Sequence, residues 1–350
     1  MKFLAGVAAL ASLAAAAPSG APTPLDVKLE AAGNSGKVKA TVTNNGKNDL
    51  KIFRPGTIFD NASTEKATVS TEGGPVNFDG VRLRLDTENL TDEDFEKIAA
   101  GQSVEVTFDL AETHDLSAGG KYTMTSTGVL SFSDAADNKL IGSVPYQSNS
   151  LQAEIDGAVA AATRRSVMAR HAKRTHVQSD CTGSRGSATR SALSNCVKLA
   201  NAAKKVAQSG SASKMEEFFK SSSSSTRNTV ANVLTKVASE CGSTSGGASD
   251  YYCTDVANHC GNRVLAYTVP SQSYMAYCDI YFDNLPGLTS SCHRQDQATT
   301  TLHEMTHLQE VAGTRDLGYG YDNIQKLSTR DSLNNADSYA VFANSIYAGC

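Results

Sequence analysis

The stretch Leu302-His303-Glu304-Met305-Thr306-His307-Leu308 has the pattern H-E-x-x-H with an apolar residue on each side. Residues four apart lie on one face of an α-helix, so His303 and His307 are expected to point the same way and to bind one metal ion. Glu304 follows one step round the helix, beside the open coordination position. Two imidazoles on a metal and a carboxylate that deprotonates water are the arrangement of a zinc hydrolase. The alternative is an amphipathic helix that carries two ordinary histidines.

A third protein ligand is expected downstream of His307. The extended pattern with a third histidine fails, because Gly313 stands where that histidine should be. No histidine follows His307 in the sequence. The one glutamate that follows, Glu310, is only three residues beyond His307 and is therefore too close to be a distant third ligand. The sequence therefore predicts a His-His-Asp site. The downstream candidates are four aspartates: Asp316, Asp322, Asp331 and Asp337.

Asp316 lies in the segment Gly313-Thr314-Arg315-Asp316-Leu317-Gly318-Tyr319-Gly320, whose glycines allow a tight turn back under the helix. Together with H-E-x-x-H, this G-T-x-D-x-x-Y-G segment resembles the signature of the deuterolysins, a family of fungal zinc endopeptidases also called neutral protease II or aspzincins. The resemblance extends from about residue 175 to residue 350. It implies one zinc ion per chain, bound by His303, His307 and Asp316, with Glu304 as the general base. It also implies that Tyr319 stabilises the oxyanion.

Asp337 is the alternative third ligand. Its other possible role is to accept a hydrogen bond from the far N–H group of a histidine ring and so fix the orientation of that ring. The glycine turn places Asp316 nearer the helix, which favours the orienting role for Asp337. Asp322 and Asp331 are expected at the surface.

Residues 1–17 are predicted to be a secretory signal, because Lys2 precedes an apolar run that ends in Ala-x-Ala cleavage choices. No later stretch is apolar for long enough to span a membrane. The even number of cysteines favours disulfides in a secreted protein, and a thiolate metal site is disfavoured because no C-x-x-C pair exists. The family resemblance implies the pairs Cys181–Cys253, Cys260–Cys278 and Cys292–Cys350, which leaves Cys196–Cys241 by elimination.

The predicted fold class is two domains, an all-β, sandwich-like pro-region followed by a mainly helical α+β, zincin-like metalloprotease domain with a small sheet. The predicted strands of the first domain are Lys37–Thr43, Asp49–Arg54, Val81–Leu85, Ser103–Leu110 and Tyr122–Phe132. The predicted elements of the second are helical stripes at 192–206 and 230–241, strands Val264–Val269 and Cys278–Phe282, the metal helix Asp296–Val311 and a last helix Asp331–Ala348. An edge of the small sheet is expected to bind substrate in extended form. Tyr281 is predicted to lie either in the core or in the cleft.

A basic segment between the two regions ends in Lys173-Arg174, which favours cleavage by a processing protease of the secretory pathway. The predicted division is a signal peptide at 1–17, a pro-region at 18–174 and a catalytic domain at 175–350. A solvated linker and a nucleic-acid patch are the alternatives, and the net charge of −4 argues against nucleic acid.

The leading hypothesis is a secreted, monomeric zinc endopeptidase made as a proenzyme. The family resemblance implies protein substrates, with a preference for basic proteins such as histones and protamines. One alternative is a secreted, disulfide-stapled binding or inhibitory protein without catalysis, and another is a zinc hydrolase that acts on substrates other than peptides.

Overall fold

The structure is a computed structural model that describes residues 24–133, 137–168, 177–243, 246–261 and 263–350. The predicted signal peptide and the Lys173-Arg174 cleavage site lie outside these residues. We refer to residues 24–168 as the N-terminal part and to residues 177–350 as the C-terminal part. The described chain is a mixed α+β structure with strands concentrated in the first part and helices in the second.

The N-terminal part is built from short antiparallel strands with alternating burial, as in β1, where every second residue of Leu25–Leu29 faces inward. Three of its sheets have the strand orders β1-β2-β8, β11-β10-β3-β7 and β12-β9-β4-β5. Its elements are β1 Leu25–Ala31, β2 Lys37–Asn44, β3 Leu50–Phe53, β4 Thr68–Thr71, β5 Gly74–Pro75, β6 Arg82–Leu85, β7 Phe95–Ile98, β8 Ser103–Asp109, β9 Gly120–Thr125, β10 Thr127–Ser133, β11 Leu140–Gln147, β12 Leu151–Ile155 and α1 Gly157–Met168.

The C-terminal part places its helices around one apolar core, to which α2, α4, α6 and α9 contribute buried side chains. A small sheet with the order β13-β15-β14 lies against this core. The elements are α2 Gly183–Ser209, α3 Ala212–Phe219, α4 Ser224–Cys241, β13 Asp250–Tyr252, β14 Val264–Val269, β15 Tyr274–Tyr277, α5 Asp279–Asn284, α6 Gln297–His307, α7 Tyr321–Ile324, α8 Thr329–Leu333 and α9 Ala336–Ala348.

The small sheet has a fourth strand, and this strand comes from the N-terminal part. β6 pairs antiparallel with β14, and Leu83 lies opposite Tyr267. Leu83 and Leu85 join an apolar cluster that also contains Tyr267 and Tyr319. Because the two parts share a sheet and a core cluster here, the structure does not by itself confirm a division into two domains.

The predicted strand Cys278–Phe282 is wrong. The strand ends at Tyr277, and the backbone N–H of Tyr281 donates to the carbonyl of Cys278, which begins α5. Tyr281 stacks on Tyr277 with ring centroids 4.3 Å apart, and its hydroxyl lies 3.3 Å from the carbonyl oxygen of Gln297. A short buried helix and a buried strand present the same apolar run in a sequence. Tyr281 is therefore a core residue, as one of the two interpretations expected.

Three predicted boundaries also differ. Tyr122–Phe132 is two strands, because the chain passes from one sheet to another at Ser126, whose N–H donates to Ser148 Oγ at 2.9 Å. The metal helix ends at His307, since Leu308 has an extended ψ of 135°. The last helix is broken at Asn335. Its side chain accepts hydrogen bonds from backbone N–H groups of the glycine-rich segment Gly313–Gly320.

Four disulfides join the pairs Cys181–Cys253, Cys196–Cys241, Cys260–Cys278 and Cys292–Cys350, as predicted. All of them lie within the C-terminal part, so no disulfide links the two parts. Among the helices that the structure describes, none is long and apolar enough to cross a membrane.

Candidate metal centre

The helix α6 carries the histidines and is buried along its whole length. It starts at a capping box, in which the side chain of Asp296 accepts the backbone N–H of Thr299 at 2.6 Å. Leu302 and Met305 face the apolar core. This packing fixes the rotation of the helix and turns His303 and His307 towards the glycine-rich segment.

The glycine-rich segment returns the chain to the same helix. Gly313 has a φ of 60°, a conformation that favours glycine, and its N–H donates to the carbonyl of Leu308 at 2.9 Å. The next residue, Thr314, donates its N–H to the carbonyl of Thr306 at 3.1 Å. The turn thereby brings Asp316 against the histidine face of α6.

Three buried acceptor atoms converge at this point. Oδ1 of Asp316 lies 3.1 Å from Nε2 of His303 and 3.3 Å from Nε2 of His307. None of these three atoms makes a hydrogen bond within the described residues. Unpaired buried polar atoms are costly, and two imidazole nitrogens with one carboxylate are a donor set that Zn²⁺ takes. The residues present therefore fit a zinc ion.

The far nitrogens of both rings are held by other groups. Nδ1 of His303 lies 3.2 Å from Oδ1 of Asp337, and Nδ1 of His307 lies 2.8 Å from the carbonyl oxygen of Thr314. A proton on Nδ1 of each ring, facing these acceptors, would leave the lone pair on Nε2 for a metal. Asp337 also accepts the N–H of Gly320 at 2.6 Å.

Glu304 is fully buried beside the two histidines. Its Oε2 accepts a hydrogen bond from the hydroxyl of Thr268 on β14 at 2.5 Å, while Oε1 makes no hydrogen bond within the described chain. Burial raises the pKa of Glu304 to about 7. A carboxylate with a pKa near neutrality can take up and release a proton under working conditions.

All 350 residues match the sequence model described as the deuterolysin metalloprotease (M35) family. The chain belongs to this deuterolysin family. It is 50% identical to a neutral protease 2 homolog of Colletotrichum graminicola over the full length of both chains. It is 44% identical to neutral protease 2 of Aspergillus oryzae, covering 98% of this chain and 97% of the relative.

Among solved structures, a zinc peptidase from Grifola frondosa aligns with a TM-score of 0.40 and 23% identity, over 47% of this chain and 97% of that one. Family membership confirms the predicted resemblance and the prediction that the protein is a zinc metalloendopeptidase.

In this deuterolysin-family chain, Asp316 and His307 stabilise each other's charged forms. Burial opposes both charges, but their mutual attraction lowers the pKa of Asp316 well below its usual range and raises that of His307. Burial, together with the charge of Arg84, lowers the pKa of His303 to about 3. A cation held by these groups would take the place of the proton on His307 as the partner of the Asp316 carboxylate.

The structure places the remaining predicted residues as follows. Tyr319 lies beside His303, with ring centroids 6.2 Å apart, and its hydroxyl donates to the carbonyl of Leu83 at 2.8 Å. Asp322 is exposed, and Asp331 accepts from the hydroxyl of Ser328. Neither of these two aspartates approaches the centre.

Three residues at the centre were absent from the sequence-based predictions: Thr268, Leu83 and Arg84. Thr268 reaches Glu304 from β14, and the other two arrive from β6 in the N-terminal part. Their positions depend on strand pairing between distant segments, for which the sequence carries no local signal.

Proposed function

We propose that the chain is the secreted precursor of a zinc endopeptidase, with a signal peptide at 1–17, a β-rich pro-region at 18–174 and a catalytic domain at 175–350. One zinc ion is held by His303, His307 and Asp316. The observation that carries the proposal is the convergence of three buried, unpaired acceptors at distances of 3.1 and 3.3 Å beside a buried glutamate.

The reaction is the hydrolysis of a peptide bond. Zinc, when bound, polarises the scissile carbonyl and lowers the pKa of a water molecule. Glu304 accepts the proton of the attacking water on Oε1 and delivers it to the leaving amine, while Thr268 holds Oε2 in place. Tyr319 donates its hydroxyl to the developing oxyanion, in the direction in which it donates to the Leu83 carbonyl. Asp337 orients the ring of His303.

Asp316 is preferred to Asp337 as the third ligand. Its Oδ1 faces Nε2 of both histidines, whereas Asp337 faces Nδ1 of His303 only. The two nitrogens of an imidazole ring point in different directions. A group that contacts Nδ1 of His303 therefore cannot also bind an ion held at Nε2 of the same ring. This geometry supports the orienting role for Asp337.

The substrates are proteins, with a preference for basic ones. Support for that preference comes from Asp337, which is buried beside the centre and accepts a hydrogen bond from the guanidinium of Arg84. A buried acidic group at this position provides the local negative charge that recognition of a basic side chain needs. The mature enzyme acts as a secreted monomer, and a processing protease cuts after Lys173-Arg174.

Metal analysis combined with a cleavage assay tests the proposed function. The processed chain, separated from residues 18–174, should contain one zinc per chain and should cleave casein, and a chelator should abolish the cleavage. A disulfide-stapled binding or inhibitory protein would retain neither stoichiometric zinc nor any chelator-sensitive cleavage. Sequencing of the products around basic residues tests the substrate preference separately.

A further inference from the structure

The strand β6 of the N-terminal part covers the edge of β14 in the C-terminal part. The strands are antiparallel, and Leu83 pairs with Tyr267 while Arg84 pairs with Ala266. Without β6, β14 is the outer strand of a sheet with the order β13-β15-β14. Such an edge accepts an extended peptide through its backbone N–H and C=O groups. β6 therefore occupies the place in which an extended substrate is expected.

The backbone of Leu83 reaches the groups to which catalysis is assigned above. Its carbonyl oxygen accepts the hydroxyl of Tyr319 at 2.8 Å, and its N–H donates to Oδ2 of Asp316 at 3.3 Å. A peptide unit held by these two side chains excludes a second peptide unit from the same position. The contact thus blocks the centre itself as well as the sheet edge.

The side chain of Arg84 fills the space beside His303. It is only 2% exposed, its Nη1 donates to Oδ1 of Asp337, and the same nitrogen lies 3.2 Å from Nδ1 of His303. Arg84 and Asp337 neutralise each other in a buried environment. Removal of one member of such a pair leaves the other charge buried without a partner, which is strongly destabilising.

Other ion pairs between the two parts have the reverse arrangement of Arg84–Asp337. In these pairs the acidic residue belongs to the N-terminal part and the arginine to the C-terminal part. One of these pairs is Glu65–Arg315 at 2.9 Å, in which Arg315 directly precedes the proposed ligand Asp316. Glu65 also holds Arg82 of β6 at 2.5 Å. Two further pairs are Asp94–Arg263 at 2.9 Å and Glu88–Arg294 at 2.8 Å.

We propose that β6 (Arg82–Leu85) is an inhibitory strand and that the N-terminal part remains bound to the C-terminal part after processing. In the uncut chain the strand occupies the substrate's place. After the linker is cut, the N-terminal part stays bound to the C-terminal part as a separate inhibitor, so that cleavage of the linker alone does not release full activity. This inference rests on the proposed function, since it assigns the covered surface to substrate binding.

Association of the two parts is measured in a chain that carries Glu304→Gln, which separates binding from catalysis. The full chain is cut at the linker with a protease specific for Lys-Arg pairs and analysed by gel filtration. The two fragments should elute together, although no disulfide links them. Arg84→Ala in the same background should weaken their association on the order of 100-fold, because Asp337 is left buried and unpaired.

Two further variants serve as controls. Lys97→Ala removes a basic residue of the same part whose side chain is 64% exposed on β7, and it should leave co-elution unchanged. Arg84→Lys keeps the charge but loses the planar guanidinium fork, so it should weaken association less than Arg84→Ala does. Circular dichroism of each uncut chain checks folding. If Arg84→Ala does not fold, Arg84→Lys is compared with the wild type instead.

The same variants with Glu304 intact give the activity readout. After the linker is cut, the Arg84→Ala chain should hydrolyse a short peptide on the order of 100-fold faster than the wild-type chain at equal concentration. Three results would overturn the inference: separation of the wild-type fragments as readily as those of Arg84→Ala, equal activity of the two cut chains, or hydrolysis of the Leu83–Arg84 bond. An absence of activity in every zinc-loaded chain counts against the proposed function instead, and the gel-filtration result still decides the role of β6.

Discussion

The hydroxyl of Thr268 on β14 donates to Oε2 of Glu304 on α6 at a distance of 2.5 Å. This contact connects the strand that β6 covers to the carboxylate assigned as general base. It also opposes the effect of burial on the pKa of Glu304, since a hydrogen bond to the charged form favours that form. The position of β14 therefore influences both the position of the Glu304 carboxylate and its pKa.

Thr268→Val tests this coupling. Loss of the hydrogen bond should raise the pKa of Glu304 further, and a general base must be deprotonated to act. The acid limb of the pH dependence of kcat/KM is expected to move to higher pH, while zinc content stays the same. An acid limb at an unchanged pH would show that Thr268 does not influence the base.

Glu304→Gln should retain zinc and the fold and lose nearly all peptidase activity. The amide keeps the shape of the side chain but cannot accept a proton, and loss of general-base catalysis costs roughly 10²–10⁴-fold in rate. Zinc analysis and kcat on a peptide substrate check the prediction together. Near-normal turnover at full zinc content would remove Glu304 from this role.

Acid should destabilise the N-terminal part through His114, which is 1% exposed. Burial lowers its pKa from 6.5 to about 4, against the opposing influence of the nearby Glu65 and Asp79 carboxylates. The unfolded chain therefore binds more protons between pH 6.5 and pH 4, and stability falls as the pH falls through that window. The loss at pH 5 is expected to be about 2 kcal/mol.

His114→Gln provides the matched comparison, because glutamine does not titrate. The free energy of unfolding is measured by denaturant titration at pH 7 and pH 5 for both chains. The variant should lose less stability than the wild type between these two values. An equal loss in the two chains would assign the acid sensitivity to other groups.

Two substitutions that remove the carboxylate charge distinguish the candidate ligands Asp316 and Asp337. Asp316→Asn should lose zinc on dialysis, since an amide oxygen is a poorer ligand than a carboxylate. Asp337→Asn should weaken zinc binding or activity by only about 10–100-fold, as is usual when a group that orients a ligand is changed. Zinc content after dialysis distinguishes them, and the reverse order would exchange the two roles.

The sequence predicted those features that depend on local spacing. The four-residue separation of His303 and His307 requires one helical face, and the glycines after His307 permit the turn that returns Asp316 to it. The strand at Val264–Val269 and the helical stripes of α2 and α4 were likewise predicted from periodicity. Three disulfide pairs were inferred from family resemblance and the fourth, Cys196–Cys241, by elimination, and the structure forms all four.

The sequence did not predict the features that depend on long-range packing. The sequence places Tyr281 on a strand because the short apolar run Ile280-Tyr281-Phe282 is compatible with a strand as well as with a helix. The sequence does not indicate the position of Arg84, because an arginine on a predicted pro-region strand is expected at the surface unless the strand pairs as β6 does with β14. A buried guanidinium becomes understandable only when Asp337 is found beside it.

The central claim is that His303, His307 and Asp316 together hold a catalytic zinc ion. Diffraction data from crystals of the zinc-loaded chain, recorded on either side of the zinc absorption edge, locate the ion directly. We expect one anomalous peak at about 2.0–2.2 Å from Nε2 of His303, Nε2 of His307 and a carboxylate oxygen of Asp316. A peak coordinated by Asp337 in place of Asp316, or no peak between the two histidines, would contradict the account.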